Sequence, residues 1–171
     1  IVYGFLHDYQ KKRILTFLNP TADPMGSGWN VNQAMIAIGS GRWTGRGLGH
    51  GPQSQLNFLP FKHTDFVFAA LAEEMGFVGA AAVLVLFMVI LYRGIRTAML
   101  ARDYFGMYLA TGICAMIFFH VVINIGMNIG LMPVTGIPLP LVSSGGTSII
   151  ITLASIGILE SIIIRYKKID F

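Results

Sequence analysis

The chain has 171 residues, of which 54% are hydrophobic and only 12% charged, with a mean hydropathy of +0.67. A water-soluble domain carries about 25% charged residues, so half that share points to a lipid bilayer. The net charge of +4 is scattered along the chain, which excludes the concentrated basic face of a nucleic-acid binder and favours anionic headgroups or a phosphate-bearing lipid.

Residues 1–6 read as the end of a membrane helix, closed by His7-Asp8 and the basic cluster Lys11-Lys12-Arg13. The chain is therefore expected to be the C-terminal part of a longer membrane protein. Asn19-Pro20 and Asp23-Pro24 are turn signals. Trp29, Val31, Met35 and Ile38 mark a stretch too short to cross a bilayer, which reads as an interfacial or re-entrant helix. A glycine run over 39–51 is interleaved with Arg42, Trp43, Arg46 and His50. It reads as a backbone nest for phosphate with the arginines assisting, or as a flexible loop. No strand precedes it, so it is not a dinucleotide fingerprint.

The chain turns on Leu59-Pro60-Phe61-Lys62-His63-Thr64-Asp65-Phe66, where a polar loop becomes a membrane helix. A carboxylate is costly to keep ionised near lipid, so Asp65 reads as functional. At a helix start it reads equally well as a cap. The first span is predicted over 66–92. At about 100° per residue, Glu73 lies about 80° around the helix from Asp65 and Glu74 on the opposite side. At least one of them must face protein or water. Both read as structural or polar-pocket residues, with a second catalytic carboxylate as the alternative.

A connection over 93–103, with Arg93, Arg96, Arg102 and Asp103, leads to a second span predicted over 105–132 and a third over 147–164. Short loops rich in Arg and Lys stay cytoplasmic. That rule puts the 93–103 connection and the C-terminal Arg165-Tyr166-Lys167-Lys168 inside, and the 7–65 and 133–146 loops outside. Asn124 and Asn128 share a helix face, as do Gly126 and Gly130, whose spacing permits close helix contact with amides bonding across it. His120 reads as hydrogen-bonded structure or a proton relay, and Glu160 as pairing with Arg165 or reaching water. Cys114 stands alone, so neither a disulfide nor a thiolate metal site can be built on it.

The segment 133–148 carries prolines and glycines that forbid a regular helix, yet it is mostly apolar. It reads as a re-entrant loop, buried or lining a wet cavity. Ser143, Ser144, Thr147 and Ser148 offer hydroxyls beside a new helix start, either an anion- or sugar-contacting end or a purely structural loop. The expected fold is all-α: one polytopic membrane domain over 1–171, with three full spans and the end of another.

Asn124, then Gly130-Leu131-x-Pro133-Val134-x-Gly136-Ile137, then Leu141-Val142-Ser143-Ser144-Gly145-Gly146-Thr147-Ser148 resemble the signature of the SEDS family (shape, elongation, division, sporulation). Gln53-Ser54-Gln55-Leu56-x-Phe58-Leu59-Pro60, then His63-Thr64-Asp65-Phe66-Val67-Phe68 and Glu73-Glu74-x-Gly76, resemble its RodA branch rather than its division branch, FtsW. The family often has Glu after Leu-Pro, where this chain has Phe61-Lys62.

The resemblance implies an inverting peptidoglycan glycosyltransferase of the bacterial cytoplasmic membrane that polymerises lipid II on the outer leaflet for elongation and shape. It also implies a class B penicillin-binding protein, a transpeptidase, as partner. The family's catalytic aspartate corresponds to Asp65, acting as general base or holding a divalent cation, Mg2+ or Mn2+. Lys11, Arg13, Arg42, Arg46, Lys62 and His63 are available for the pyrophosphate, with Ser143, Ser144 and Thr147 for pyrophosphate or sugar. The alternatives are a lipid II flippase and a non-catalytic scaffold for the transpeptidase.

Overall fold

The structure, a computed structural model, describes residues 13, 17, 27–55 and 64–166. The expectations for 1–6, Lys11, Lys62 and His63 lie outside the described residues. Among these residues the fold is all-α: α1 (Ser27–Gly41), a single turn α2 (Pro52–Gln55), α3 (Val67–Leu100), α4 (Tyr104–Asn128) and α5 (Gly146–Tyr166). α3, α4 and α5 are long and apolar enough to cross a membrane. Their outward faces are apolar too, with Val85, Leu86 and Met88 on α3 and Ile150, Ile151 and Leu153 on α5 exposed. A helix facing water would carry charges there.

α3 is long but not continuous. Gly76 has φ 67° and ψ −165°, a conformation only glycine adopts readily. A break of this kind strands backbone groups on both sides, and the loop after α1 takes them up. Arg46 N donates to Glu73 O (3.0 Å) and Gly47 N to Glu74 O (3.1 Å). On the far side, Phe77 N donates to Arg42 O (2.8 Å) and Val78 N to Trp43 O (3.1 Å). Arg42 adopts φ 49°, and its carbonyl serves the Phe77 amide. The Trp43 ring meets Phe77 edge-on at 5.3 Å. Contact is backbone to backbone: a Cβ on Gly41 would collide with the Ala72 carbonyl, one on Gly45 with the Glu74 carbonyl, and one on Gly76 with the Gly45 nitrogen.

The glycine run is therefore a plug for α3 and not a phosphate nest, because its amides at 46 and 47 are already donated to the helix. The break also redirects the chain. Residues 69 and 94 of α3 are twenty-five apart, but they meet residues 128 and 114 of α4, only fourteen apart. Two collinear antiparallel helices cannot do this. The spanning part of α3 is 77–100, about 36 Å long at about 1.5 Å per residue, enough for a hydrocarbon core of about 30 Å. The segment 67–75 is a separate piece that carries Asp65 at its start.

Two boundaries differ from the sequence reading. α3 continues through Arg93 and Arg96 to Leu100, so the connection is 101–103 rather than 93–103. The end of an apolar run marks where lipid ends, and nothing in 93–100 interrupts the hydrogen-bond ladder. The Asp103 side chain then caps α4, accepting from Gly106 N at 3.1 Å. α4 stops at Asn128 rather than continuing to 132. Leu131 N donates to Gly126 O (2.8 Å) and Gly130 N to Met127 O (3.3 Å), with Gly130 at φ 74°, which is a glycine-terminated helix end. Gly126 and Gly130 are thus not one helix-contact stripe: Met132 folds over Gly126, and Met35 of α1 sits against Gly130.

α5 lies against the α3–α4 junction, with Leu159 beside Gly94 and Ile162 beside Gly106. This gathers Arg93, Arg96, Arg102 and Arg165 at one end of the three-helix layer. Asp65, the 133–145 loop and the plug occupy the other.

Gly76→Ala is expected to lower stability by about 2–4 kcal/mol, from backbone strain plus overpacking. Gly39→Ala, in helical backbone with nothing within 4 Å of the added methyl, is expected to raise it by about 0.5–1 kcal/mol. Thermal unfolding of both variants in detergent checks the contrast.

Candidate active site

Thr64, Asp65 and Phe66 form the turn that enters α3, and Phe66 occupies the cap position. Phe66 is buried against Ala34, Ala37 and Ala69. Asp65 is therefore outside the capping position. Among the described residues its carboxylate accepts no hydrogen bond and meets no cation, and neither oxygen is sealed from solvent.

Its backbone is held from three directions. Ser143 Oγ donates to Thr64 O at 2.7 Å and accepts from Leu139 N at 2.8 Å. Asn124 Nδ2 donates to Asp65 O at 3.1 Å and to Ile137 O at 2.8 Å. Asn128 Nδ2 donates to Asp65 O at 3.2 Å and to Asn124 O at 2.8 Å. Asn128 Oδ1 accepts from Ala69 N at 3.2 Å, so an asparagine on α4 caps the first turn of α3 from across the interface. Asn124, Asn128 and Ser143 are buried, and a buried polar group without partners costs about 1–3 kcal/mol. These groups serve one another instead.

The 133–145 loop closes over Asp65. A methyl on Gly136, at φ 76°, would lie 3.7 Å from Asp65 Oδ2. One residue earlier, Thr135 O accepts from Arg13 Nη1 at 3.1 Å, so a guanidinium sits beside the carboxylate's loop. The loop turns at Leu139–Pro140–Leu141–Val142, where Val142 N donates to Leu139 O and Leu141 adopts φ 62°. A turn of this shape favours glycine at that position, so the leucine is strained.

Among the described residues Arg13 is thus a predicted basic residue tied to the loop over Asp65, through the Thr135 carbonyl. Arg42 and Arg46 are exposed on the plug at the Gly76 break, about 16 Å further along the chain at helical rise. Ser144 and Thr147 are exposed at the start of α5, whereas the Ser143 hydroxyl is engaged inside the protein. Glu73 is fully buried, and Glu74 half-buried. Glu73 Oε1 accepts from Gln53 N at 2.9 Å beneath Gly51, where a Cβ would meet its carboxyl carbon at 2.6 Å. It ties the 51–53 segment to α3, well away from Asp65. Glu160 is exposed and lines a small cavity with Arg93. Among the described residues no three His, Cys, Asp or Glu gather to hold a metal ion.

Comparison with known proteins places this geometry. The family described as "Cell cycle protein", FtsW/RodA/SpoVE, matches residues 1–168. The chain belongs to that family. Peptidoglycan glycosyltransferase MrdB of Escherichia coli K12 is 48% identical over 171 residues, which are 99% of this chain and 46% of that protein. A solved peptidoglycan synthase complex, described as coordinating polymerization and crosslinking, contains a chain 34% identical with a TM-score of 0.77, covering 98% of this chain and 45% of that one. A crystal structure of the rod shape determining protein RodA of Thermus thermophilus aligns with a TM-score of 0.57 at 28% identity, over 94% of this chain and 55% of that one. The chain spans about half the length of the curated relatives it matches. The matched range includes Asp65, Asn124, Gly136, Ile137 and Ser143.

Gly136, the Ile137 carbonyl and the strained Leu141 are site features that residue-type reasoning passed over. Pro140 was the visible signal, since proline favours the second position of such a turn. Ser143→Ala removes a donor and an acceptor from buried partners and is expected to lower stability by about 1–3 kcal/mol. Thr147→Ala, at an exposed site, should stay within about 0.5 kcal/mol. Melting curves of the two variants provide the measurement.

Proposed function

We propose that this chain carries the catalytic carboxylate of a peptidoglycan glycosyltransferase that polymerises lipid II, with Asp65 as general base. One observation carries the reading: an uncommitted carboxylate stands on a backbone held by buried hydrogen bonds, beneath the glycine of a loop that an arginine bonds one residue earlier. Structural carboxylates in this chain look different, as Glu73 and Asp103 are both bonded to backbone amides.

In the proposed step an acceptor sugar hydroxyl attacks the anomeric carbon of the lipid-linked donor. The new C–O bond forms as the bond to pyrophosphate breaks, and a single displacement inverts the centre. The hydroxyl proton passes to Asp65, and the electron pair leaves with the lipid pyrophosphate. Cationic groups stabilise that departing charge, with Arg13 on the Thr135 carbonyl of the loop over Asp65 and Lys11, Lys62, Arg42 and Arg46 on the same side of the proposed topology. Ser144 and Thr147, exposed at the start of α5, are the proposed contacts for sugar or pyrophosphate. A Mg2+ or Mn2+ ion would be held by Asp65 and would supply positive charge for the leaving pyrophosphate; among the described residues no three His, Cys, Asp or Glu gather to form a cage of their own.

Orientation follows from charge. Arg93, Arg96, Arg102 and Arg165 lie at one end, which the basic-loop rule assigns to the cytoplasm. That puts Asp65 and the 133–145 loop at the external face of the bacterial cytoplasmic membrane, where a transpeptidase of the class B penicillin-binding type would meet the new strand. The names and descriptions of the relatives, a peptidoglycan glycosyltransferase and a synthase complex that polymerises and crosslinks, support the glycosyltransferase reading.

The broken α3 favours a second reading, since transporters use discontinuous helices at their sites. Vesicles separate the two: polymer formed from lipid II on the accessible leaflet marks the enzyme, and flipping without polymer the transporter. In the full-length protein Asp65→Asn should slow polymerisation by about 10²–10⁴-fold, read on gels of glycan product. A wild-type rate would remove the base assignment and leave a scaffold or flippase.

A further inference from the structure

We infer that Asn124 and Asn128 are positioning residues for Asp65, and that the Asn124 amide fixes the turn carrying the base against the loop at 136–137. The inference rests on the reading of Asp65 as the base and adds how that base is aimed.

The hydrogen-bond inventory settles how these amides lie. Asn124 Nδ2 has two hydrogens and two carbonyl acceptors, Asp65 O and Ile137 O. Carbonyls only accept, so the nitrogen must face them. Asn128 is oriented by the opposite logic: Ala69 N–H only donates, so Oδ1 faces it and Nδ2 faces Asp65 O and Asn124 O. Both side chains are fully buried, so water cannot replace these partners.

The two acceptors of Asn124 belong to two different segments, the turn that carries Asp65 and the loop at 136–137. Ile137 follows Gly136, whose added methyl would lie 3.7 Å from Asp65 Oδ2. A single amide group therefore clasps the turn to the loop that lies against the carboxylate. Asp65 has no side-chain partner among the described residues to aim it. The position of its backbone is what points the carboxylate, and the asparagines hold that backbone without reaching the reacting atoms. A displacement of about 1 Å at a reacting group can lower a rate about 10²-fold, so the clasp should show in turnover.

The test is steady-state kinetics on purified full-length protein with lipid II, using Asn124→Ala and Asp65→Asn singly and combined. The expected result is a fall in kcat of about 10–10²-fold for Asn124→Ala, with KM for lipid II changed less than about threefold. In the Asp65→Asn background the same substitution should cause little further loss, because the group it aims is gone. Equal losses in both backgrounds would show a merely structural role and overturn the inference. So would wild-type kcat for Asn124→Ala alongside a slow Asp65→Asn, an outcome that leaves the base assignment standing. Wild-type kcat for Asp65→Asn overturns both. Should Asn124→Ala fail to fold, Asn124→Ser, which keeps one donor, takes its place and should show a smaller fall in kcat with the same dependence on Asp65.

Discussion

Asp65 can remain uncommitted because its backbone is not. A carboxylate at the start of a helix would ordinarily turn to the free amides of the first turn, which would remove it from chemistry. Here Phe66 takes the cap position, and the Ala69 amide is served by Asn128 from across the α3–α4 interface. The Thr64 and Asp65 carbonyls are taken by Ser143, Asn124 and Asn128. Once these bonds are made, the turn has no local use for the acid. Buried amides and a hydroxyl perform the structural work, and among the described residues the carboxylate takes no part in it.

This division of labour needs α3 to do two things that one straight helix cannot. It must cross the bilayer and also lay its first turn against the end of α4. The Gly76 break separates the tasks, and the plug at 41–47 supplies the four backbone hydrogen bonds that keep the break from being a defect. The glycines at 41, 45 and 76 belong to one contact, in which two backbones approach more closely than any Cβ would allow. Glu73 extends the same logic: buried in the segment between Asp65 and the break, it ties the start of the chain's return from the plug to α3.

The three apolar helices, the irregular 133–145 loop and the position of Asp65 at the entry to a span were legible in the sequence because each has a composition to match. Lipid requires an apolar run, and a lone acid at the border of such a run is anomalous. The helix ends were less legible. Hydropathy reports the end of lipid and is silent on the ladder that carries α3 on to Leu100. The Gly76 break was hidden because its cause lies thirty residues earlier, in a glycine run that resembles a phosphate loop when read alone. Asn124 and Asn128 stood visibly on one face, but their partners are carbonyls of 64–65 and 137, and backbone atoms leave no mark in residue type. Whether Asp65 or Phe66 took the cap turned on a single residue, the level at which helix boundaries are least determinate.

The same contacts bear on whether the break in α3 is a hinge. Alternating access requires one body to move against another around a binding site, and a moving element should have few bonds across its joint. The joint at Gly76 has the opposite character. Its stranded amides and carbonyls are matched by the plug, Trp43 packs edge-on against Phe77, and glycine contacts leave no slack. Around Asp65 the loop, α3 and α4 are likewise clasped by groups that bond in two directions. An arrangement fixed in this way suits a base that must stay in place, as the proposed function requires, and suits poorly an element that must move in each cycle. That weighs for the proposed polymerase reading against the flippase alternative, through the packing of backbone against backbone rather than through any resemblance.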